Sequence, residues 1–294
     1  QQKETSAVGL AKTECGKLVC ITFRGNPSQS FVTTFDITSI GKIVDNKGEQ
    51  LYYDVISPSF LFFSIDNGHA FKLYFPFKKL TFTSNSIYYR IKYAAFSLQT
   101  IVTAGDTSFS VWFFDQLKDP HFTLTTYRSP IKCIDISCAF DLVICGMADG
   151  ALQFTSINKK QILKTIDLGD VVPLKIQISP GWGFVIVYCE STISNDKSLM
   201  FFTANGMKFN VLKIPNDDRI SAMDVYKSRD GFDYMVIATE NGQMYHFEVF
   251  FANLDKPFYT ASFVIKSISF VAKQNAIYCT GDSNTILVLP SPSF

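Results

Sequence analysis

The chain has 294 residues with 27 basic and 26 acidic side chains, a near balance that excludes the broad basic field of a nucleic-acid binder. Its 47% hydrophobic content, with 29 Phe, can fill one large all-β body. A chain this long buries roughly 75% of its unfolded surface, so no metal or disulfide staple is required.

Taken in chain order, the sequence repeats one skeleton. Residues 1–15 read as a linker or a closing strand, and the propeller is expected over 16–294. The first unit, GKLVCITF…SFVTTFDI (16–37), is compressed and lacks a full fourth strand. The second is LYYDVISPSFLFFSIDNGHAFKLYF (51–75), and the third is IKYAAFS…IVTAGDTSFSVWFF (91–114). The fourth is the clearest, with strands predicted at 131–137, 142–147 and 151–156. The fifth spans 174–206, the sixth 220–250, and the seventh 265–289, stopping after its third strand at Leu289.

Each unit has a turn between its second and third strands. These turns fall at Asn67-Gly68, Asp106-Thr107, Asp149-Gly150, near Asn195-Asp196, at Asn241-Gly242 and at Asp282-Ser283. Asn-Gly and Asp-Gly suit a two-residue hairpin because both positions must accept positive φ. The turns recur at about the 40–45-residue spacing of a WD-type blade. One unit cannot bury both faces of its small sheet, whereas a ring of units can. The pattern therefore predicts an all-β, seven-bladed WD40-like β-propeller with negligible helix, closed by its N-terminal stretch so that no sheet edge stays open. Trp112, at the inward third-strand position of its unit, is expected between blades.

The chemistry-bearing residues are sparse. His69, His121 and His246 lie in different units without paired ligands, so no metal is expected. There is no GxSxG, HExxH or Walker-type motif, and neither a catalytic site nor a cofactor is expected. Asp106, Asp149 and Asp282 occupy equivalent turns, where an Asp holds the turn by side-chain-to-backbone hydrogen bonds. Gly181-Trp182-Gly183 reads as a tight turn with Trp182 capping the blade end. Phe23-Arg24-Gly25 is a one-arginine echo of the FRRG loop of phosphoinositide-binding propellers, and Lys78-Lys79 and Lys159-Lys160 read as solvated turn charges.

Seven cysteines show no CxxC pair, and Cys133, Cys145, Cys189 and Cys279 fall inside expected strands as small buried hydrophobes. Apolar runs such as GFVIVYC are too short to span a bilayer, and no basic-then-apolar leader is present. A reducing, cytoplasmic setting is expected. Because the chain does not begin with Met, it reads as part of something longer. Partner contacts are expected on the loops that lead into the blades, through Tyr127 and Arg128, Asp170, and Asp217 and Arg219, because loops on a rigid scaffold carry function and Arg and Tyr are favoured hot spots.

Asp106 to Trp112 resembles the Asp-Gly-x-Val-x-Val-Trp end of a WD40 repeat, and Asn241 to Phe247 repeats the spacing with Phe in the tryptophan place. VTAGDTSFSVWFF, IDISCAFDLVICGMADGALQFTSI, ISPGWGFVIVY and GFDYMVIATENGQMYHFEVF are similar to the C-terminal WD40 region of BEACH-domain proteins, particularly divergent protist members, over roughly residues 88–290. The resemblance implies a BEACH domain immediately N-terminal in the same chain. It also implies a non-catalytic adaptor surface for protein partners in vesicle trafficking, lysosome-related organelle dynamics, membrane fission and fusion, or autophagy. It places the protein in the cytoplasm, with peripheral association to vesicle or endolysosomal membranes. Two other readings stay open: a propeller hydrolase of the glycosidase kind, which needs convergent carboxylates at the channel, and a phosphoinositide-binding propeller.

Overall fold

The computed structural model describes residues 6–12, 18–24, 31–36, 43–47, 61–75, 80–126, 128–215, 218–254, 256–271, 275–281 and 287–292. Side chains are described for 66–73 and from 82 onward within those ranges, apart from 271 and 280. The strands are β1 (Ser6–Lys12), β2 (Leu18–Arg24), β3 (Phe31–Asp36), β4 (Ile43–Lys47), β5 (Leu61–Ile65), β6 (Ala70–Phe75), β7 (Leu80–Thr83), β8 (Tyr93–Ser97), β9 (Thr100–Ala104), β10 (Ser108–Phe113) and β11 (Phe122–Thr125). They continue with β12 (Ile131–Ser137), β13 (Leu142–Met147), β14 (Ala151–Ser156), β15 (Gln161–Asp167), β16 (Val171–Ile178), β17 (Val185–Ser191), β18 (Lys197–Phe202) and β19 (Lys208–Lys213). The last two blades hold β20 (Ile220–Lys227), β21 (Asp233–Thr239), β22 (Gln243–Glu248), β23 (Tyr259–Thr260), β24 (Ile265–Val271), β25 (Ala276–Gly281) and β26 (Leu287–Pro290). Among the described residues the helical content is one 3-10 turn, Asp66–Gly68.

These strands form seven antiparallel sheets among the described residues, five of four strands and two of three, each a run of consecutive strands. The chain is a seven-bladed WD40-like β-propeller. The first strands of successive blades pack side by side, β8 on β12, β12 on β16, β16 on β20 and β20 on β24, so they line the central channel. Burial falls outward along each sheet: β13 and β14 are wholly buried, whereas β15 is exposed along nearly its whole length. The three strands expected in the fourth unit coincide with β12, β13 and β14.

One expectation for the first unit, that it is compressed and short of a full strand set, is corrected. The first blade has four strands, because β1 lies within residues 1–15 and pairs with β2, Leu10 opposite Cys20. That stretch is therefore the inner strand of its own blade, and it does not pair with β26. The ring closes instead by packing of β1 against β24 and β25.

The space between blades is filled by side chains from both. Ile144, Phe154, Val187 and Phe202 meet between the fourth and fifth blades, and Tyr188, Phe201, Met235 and Phe247 between the fifth and sixth. Trp112 is fully buried against Phe71 of the second blade, with ring centroids 5.0 Å apart in an edge-to-face contact. Its indole N–H donates to Thr103 Oγ1 at 2.9 Å, and the Tyr89 hydroxyl meets the same oxygen at 2.8 Å. The expected burial of Trp112 holds, and its one polar atom is satisfied.

Hydrogen bonds at the channel tie blade to blade. Asp135 Oδ2 accepts the Ile178 backbone N–H at 2.7 Å, and Asp224 Oδ2 accepts that of Phe270 at 2.7 Å. Gln177 occupies the corresponding place in β16 and donates from Nε2 to Met223 O at 3.0 Å. Each of β1, β12, β16, β20 and β24 also carries a bulge near its start, for example between Ile131 and Cys133 and between Ile265 and Ser267. A bulge bends a strand and re-aims the side chain at the extra residue.

Candidate functional site

The loops leading into the blades and the second-to-third strand turns lie at one end of the ring. Arg128, just before β12, pairs with Asp149 in the next turn of its own blade, Nε to Oδ2 at 3.2 Å. Arg219, just before β20, pairs with Glu190 at the end of β17, Nε to Oε1 at 3.2 Å and Nη2 to Oε2 at 3.4 Å. That ion pair crosses from the sixth blade to the fifth, and within the fifth the Tyr188 hydroxyl also donates to Glu190 at 2.9 Å. Asp170 is exposed, and its backbone oxygen accepts the Thr192 N–H at 2.9 Å. Topology therefore gathers Arg128, Asp170 and Arg219 at one end, but each arginine is already matched by a carboxylate of the chain itself. Tyr127, Asp217 and the Asp282-Ser283 turn lie outside the described residues. Tyr88 and Arg90, exposed on the loop that leads into the third blade, share this end. The sequence signal for them was their place immediately before Ile91, matching Arg219 before Ile220.

The equivalent turn aspartates do not act alike. Asp149 Oδ1 accepts the Ala151 N–H at 3.2 Å, the expected turn-holding bond. Asp106 instead forms an ion pair at 2.6 Å with Lys92, the residue just before β8. Lys159 and Lys160 are exposed as expected. The side chain of Arg24, in the partial FRRG echo, and Lys78-Lys79 fall outside the described residues.

The opposite end carries a different surface. Trp182, Phe184, Phe232, Asp233, Glu248, Phe250 and Phe251 line a groove of about 380 Å³ between the fifth and sixth blades. Buried Asp233 builds it: its carboxylate accepts Ser179 Oγ at 2.6 Å, Gly181 N at 2.9 Å and Trp182 N at 2.8 Å. Those bonds pull the fifth-blade turn onto the sixth blade and set Trp182 across the joint, its Nε1 donating to Gly231 O at 3.3 Å. Gly181 is required there, since a Cβ would stand 2.6 Å from Asp233 Oδ1. Trp182 stays 59% exposed, so it walls a groove more than it caps the blade. Phe250 and Phe251 are 55% and 68% exposed and meet at 5.4 Å, while Phe209 stacks on Phe250 at 6.0 Å.

Cys133, Cys145, Cys189 and Cys279 are buried free thiols whose proton affinities burial pushes up, which suppresses the reactive thiolate. His246 is packed among Tyr226, Tyr234 and Phe258, and burial lowers its pKa to about 4. Among the described residues, no group of three His, Cys, Asp or Glu could hold a metal ion, and no helix is long and apolar enough to cross a membrane.

No protein-family model matches the chain, and no curated protein matches it in sequence. Among solved structures it is similar to KlHsv2 with loop 6CD replaced by a Gly-Ser linker, a yeast WD40 β-propeller. The TM-score is 0.68 at 12% sequence identity, over 95% of this chain and 90% of that one. At that identity the likeness establishes the propeller fold and nothing finer.

Proposed function

We propose that the chain is a non-catalytic protein-interaction platform. The observation that carries this reading is the groove of exposed aromatic side chains held open by Asp233 between the fifth and sixth blades. Aromatic anchors in a preformed groove are the usual centre of a binding hot spot. Arg128, Asp170 and Arg219, with Tyr127 and Asp217 close to them in sequence, are the candidates for a second contact surface at the other end. A partner there exchanges its own carboxylates for Asp149 and Glu190. The hydrolase alternative is disfavoured because Asp135 and Asp224, the carboxylates at the channel, each already accept a backbone N–H.

The finer reading is the propeller of a BEACH-domain protein acting in vesicle or lysosomal trafficking or autophagy, cytoplasmic and peripheral on membranes. Its support is the motif similarity over residues 88–290. Immobilised wild type, Trp182→Ala with Phe251→Ser, and Arg128→Glu with Arg219→Glu should melt at nearly the same temperature, since all four sites are exposed. Loss of a captured protein in the groove variant, the arginine variant or both is expected. Recovery of the same proteins by all three would sink the platform reading for these surfaces.

A further inference from the structure

The groove between the fifth and sixth blades carries charge as well as rings. Of its lining residues Trp182, Phe232, Phe250 and Phe251 are exposed, and none is basic. Two carboxylates, Asp233 and Glu248, share its wall and are used differently. Both Asp233 oxygens are spent on the fifth-blade turn, accepting Ser179 Oγ, Gly181 N and Trp182 N. Among the described residues, none donates a hydrogen bond to the Glu248 carboxylate, and no lysine or arginine lies within ion-pair distance of it.

A further negative charge stands close by. Asp230, exposed on the turn before β21, accepts the Phe232 N–H at 3.1 Å and the Tyr234 hydroxyl at 3.0 Å, so Phe232 and this charge share one turn. Desolvation, and then the charge of Asp230, holds the Glu248 pKa above its ordinary value. A carboxylate set among apolar rings without a counter-charge is costly, and a cation brought against it removes that cost. The rings favour the same visitor, because the faces of Trp and Phe attract a cation. Phe184 and Phe209, packed on the core of this joint, back Phe250 with ring centroids 6.3 and 6.0 Å from it, so the surface is preformed.

Among cations a guanidinium fits both features. It is planar, so it stacks on a ring, and its fork presents two N–H groups to one carboxylate, which an ammonium point charge does not. At about 380 Å³ the groove holds a few side chains and no folded domain. We propose that it takes an arginine of an extended partner segment, with the guanidinium between the exposed rings and the Glu248 carboxylate and apolar neighbours over Trp182 and Phe251. The proposal rests on the platform reading and names the chemistry of the partner. The same negative charge opposes an anionic membrane, the other surface that exposed aromatic rings suit.

The test is retention of the full chain on five immobilised pools of random hexapeptides, with Arg, citrulline, Lys, Leu or Glu fixed at the third position. The Arg pool should retain about fivefold more protein than the Lys or Leu pool, and the Glu pool least. Citrulline, the neutral isostere of arginine, should do no better than Leu, a comparison that needs wild type alone. Glu248→Gln should lose the preference for Arg and keep the weaker retention by the Leu pool, since the rings remain. Trp182→Ala with Phe251→Ser should lose both. Equal retention by the Arg, citrulline and Leu pools, or retention by none, would overturn the arginine assignment. The groove as a contact surface falls separately, if capture from lysate also ignores the Trp182 and Phe251 substitutions. Pelleting of wild type, but not of that variant, with phosphatidylcholine–phosphatidylserine vesicles would assign the rings to a membrane and overturn the proposal as well.

Discussion

Asp135 of the fourth blade accepts the backbone N–H of Ile178 in the fifth at 2.7 Å, and Asp224 does the same for Phe270 one pair of blades further on. The inner strand of a blade would otherwise present an unpaired edge group to a buried joint. Asp at this place therefore acts as a clasp between neighbouring sheets.

The pKa of Asp135 is pushed up to about 7 by burial, which outweighs the bonds from Ile136 and Ile178. Its folded-state pKa lies above the unfolded value near 3.8, so its contribution is complete below about pH 4 and is lost as pH rises toward 7. Asp135→Asn keeps the acceptor oxygen without the charge. Denaturant unfolding should show the variant gaining on wild type by a few kcal/mol, to an order of magnitude, between pH 5 and pH 8. A difference that does not change with pH would refute the assignment.

His246 behaves with the opposite sign. Its pKa is depressed to about 4, so the stability it supplies is present above the unfolded value near 6.5 and is lost as pH falls through 4. The Tyr226 hydroxyl and His246 Nε2 share a hydrogen bond at 2.6 Å within the aromatic stack. In NMR the ring resonances should stay those of a neutral imidazole at pH 5.5. His246→Gln should flatten the acid limb of the stability profile, and a ring titrating near 6.5 would count against the burial described.

Trp112→Ala should cost about 3–5 kcal/mol, the range for a large buried aromatic. Trp112→Phe restores most of the volume and loses the indole bond to Thr103, whose hydroxyl keeps its contact with Tyr89, so an intermediate loss of about 1–2 kcal/mol is expected. Equal losses for the two variants in equilibrium unfolding would mean that the bond to Thr103, and not the packing on Phe71, dominates.

Gly146 permits a close approach between blades. A Cβ there would lie 2.6 Å from Cys133 Sγ and 2.8 Å from Pro173 Cβ. Gly146→Ala should destabilise by about 1–3 kcal/mol through overpacking. Cys133→Ala should return part of that loss in the double mutant, since the two sites touch. An unperturbed unfolding midpoint for the single variant would show that the joint is looser than its geometry.

The blades were legible because local chemistry and global fold agree. Gly68, Gly150 and Gly242 all adopt positive φ at the turns where Asn-Gly and Asp-Gly marked them. The clasp was visible without being understood: IKCIDIS and ISAMDVY carry Asp at the same place, and only pairing across blades gives it a purpose. The aromatic groove could not be read from periodicity, because Trp182, Phe232 and Phe250 lie on three separate turns and are brought together by buried Asp233. Likewise Arg128 and Arg219 read as available, since the carboxylates that pair with them sit far off in sequence, Asp149 on a turn and Glu190 in β17.

The packing of β1 on β24 sets the order of assembly. Each blade is a run of consecutive strands and can form as soon as its own residues are available. The last joint brings together the two extremes of the chain, so its loop-closure entropy is the largest of any blade contact. Folding should therefore show a late, slow phase belonging to ring closure, preceded by faster steps within blades. Truncation before β24 should leave blades that are individually formed yet collectively open, with the joint face of the sixth blade bared and prone to association.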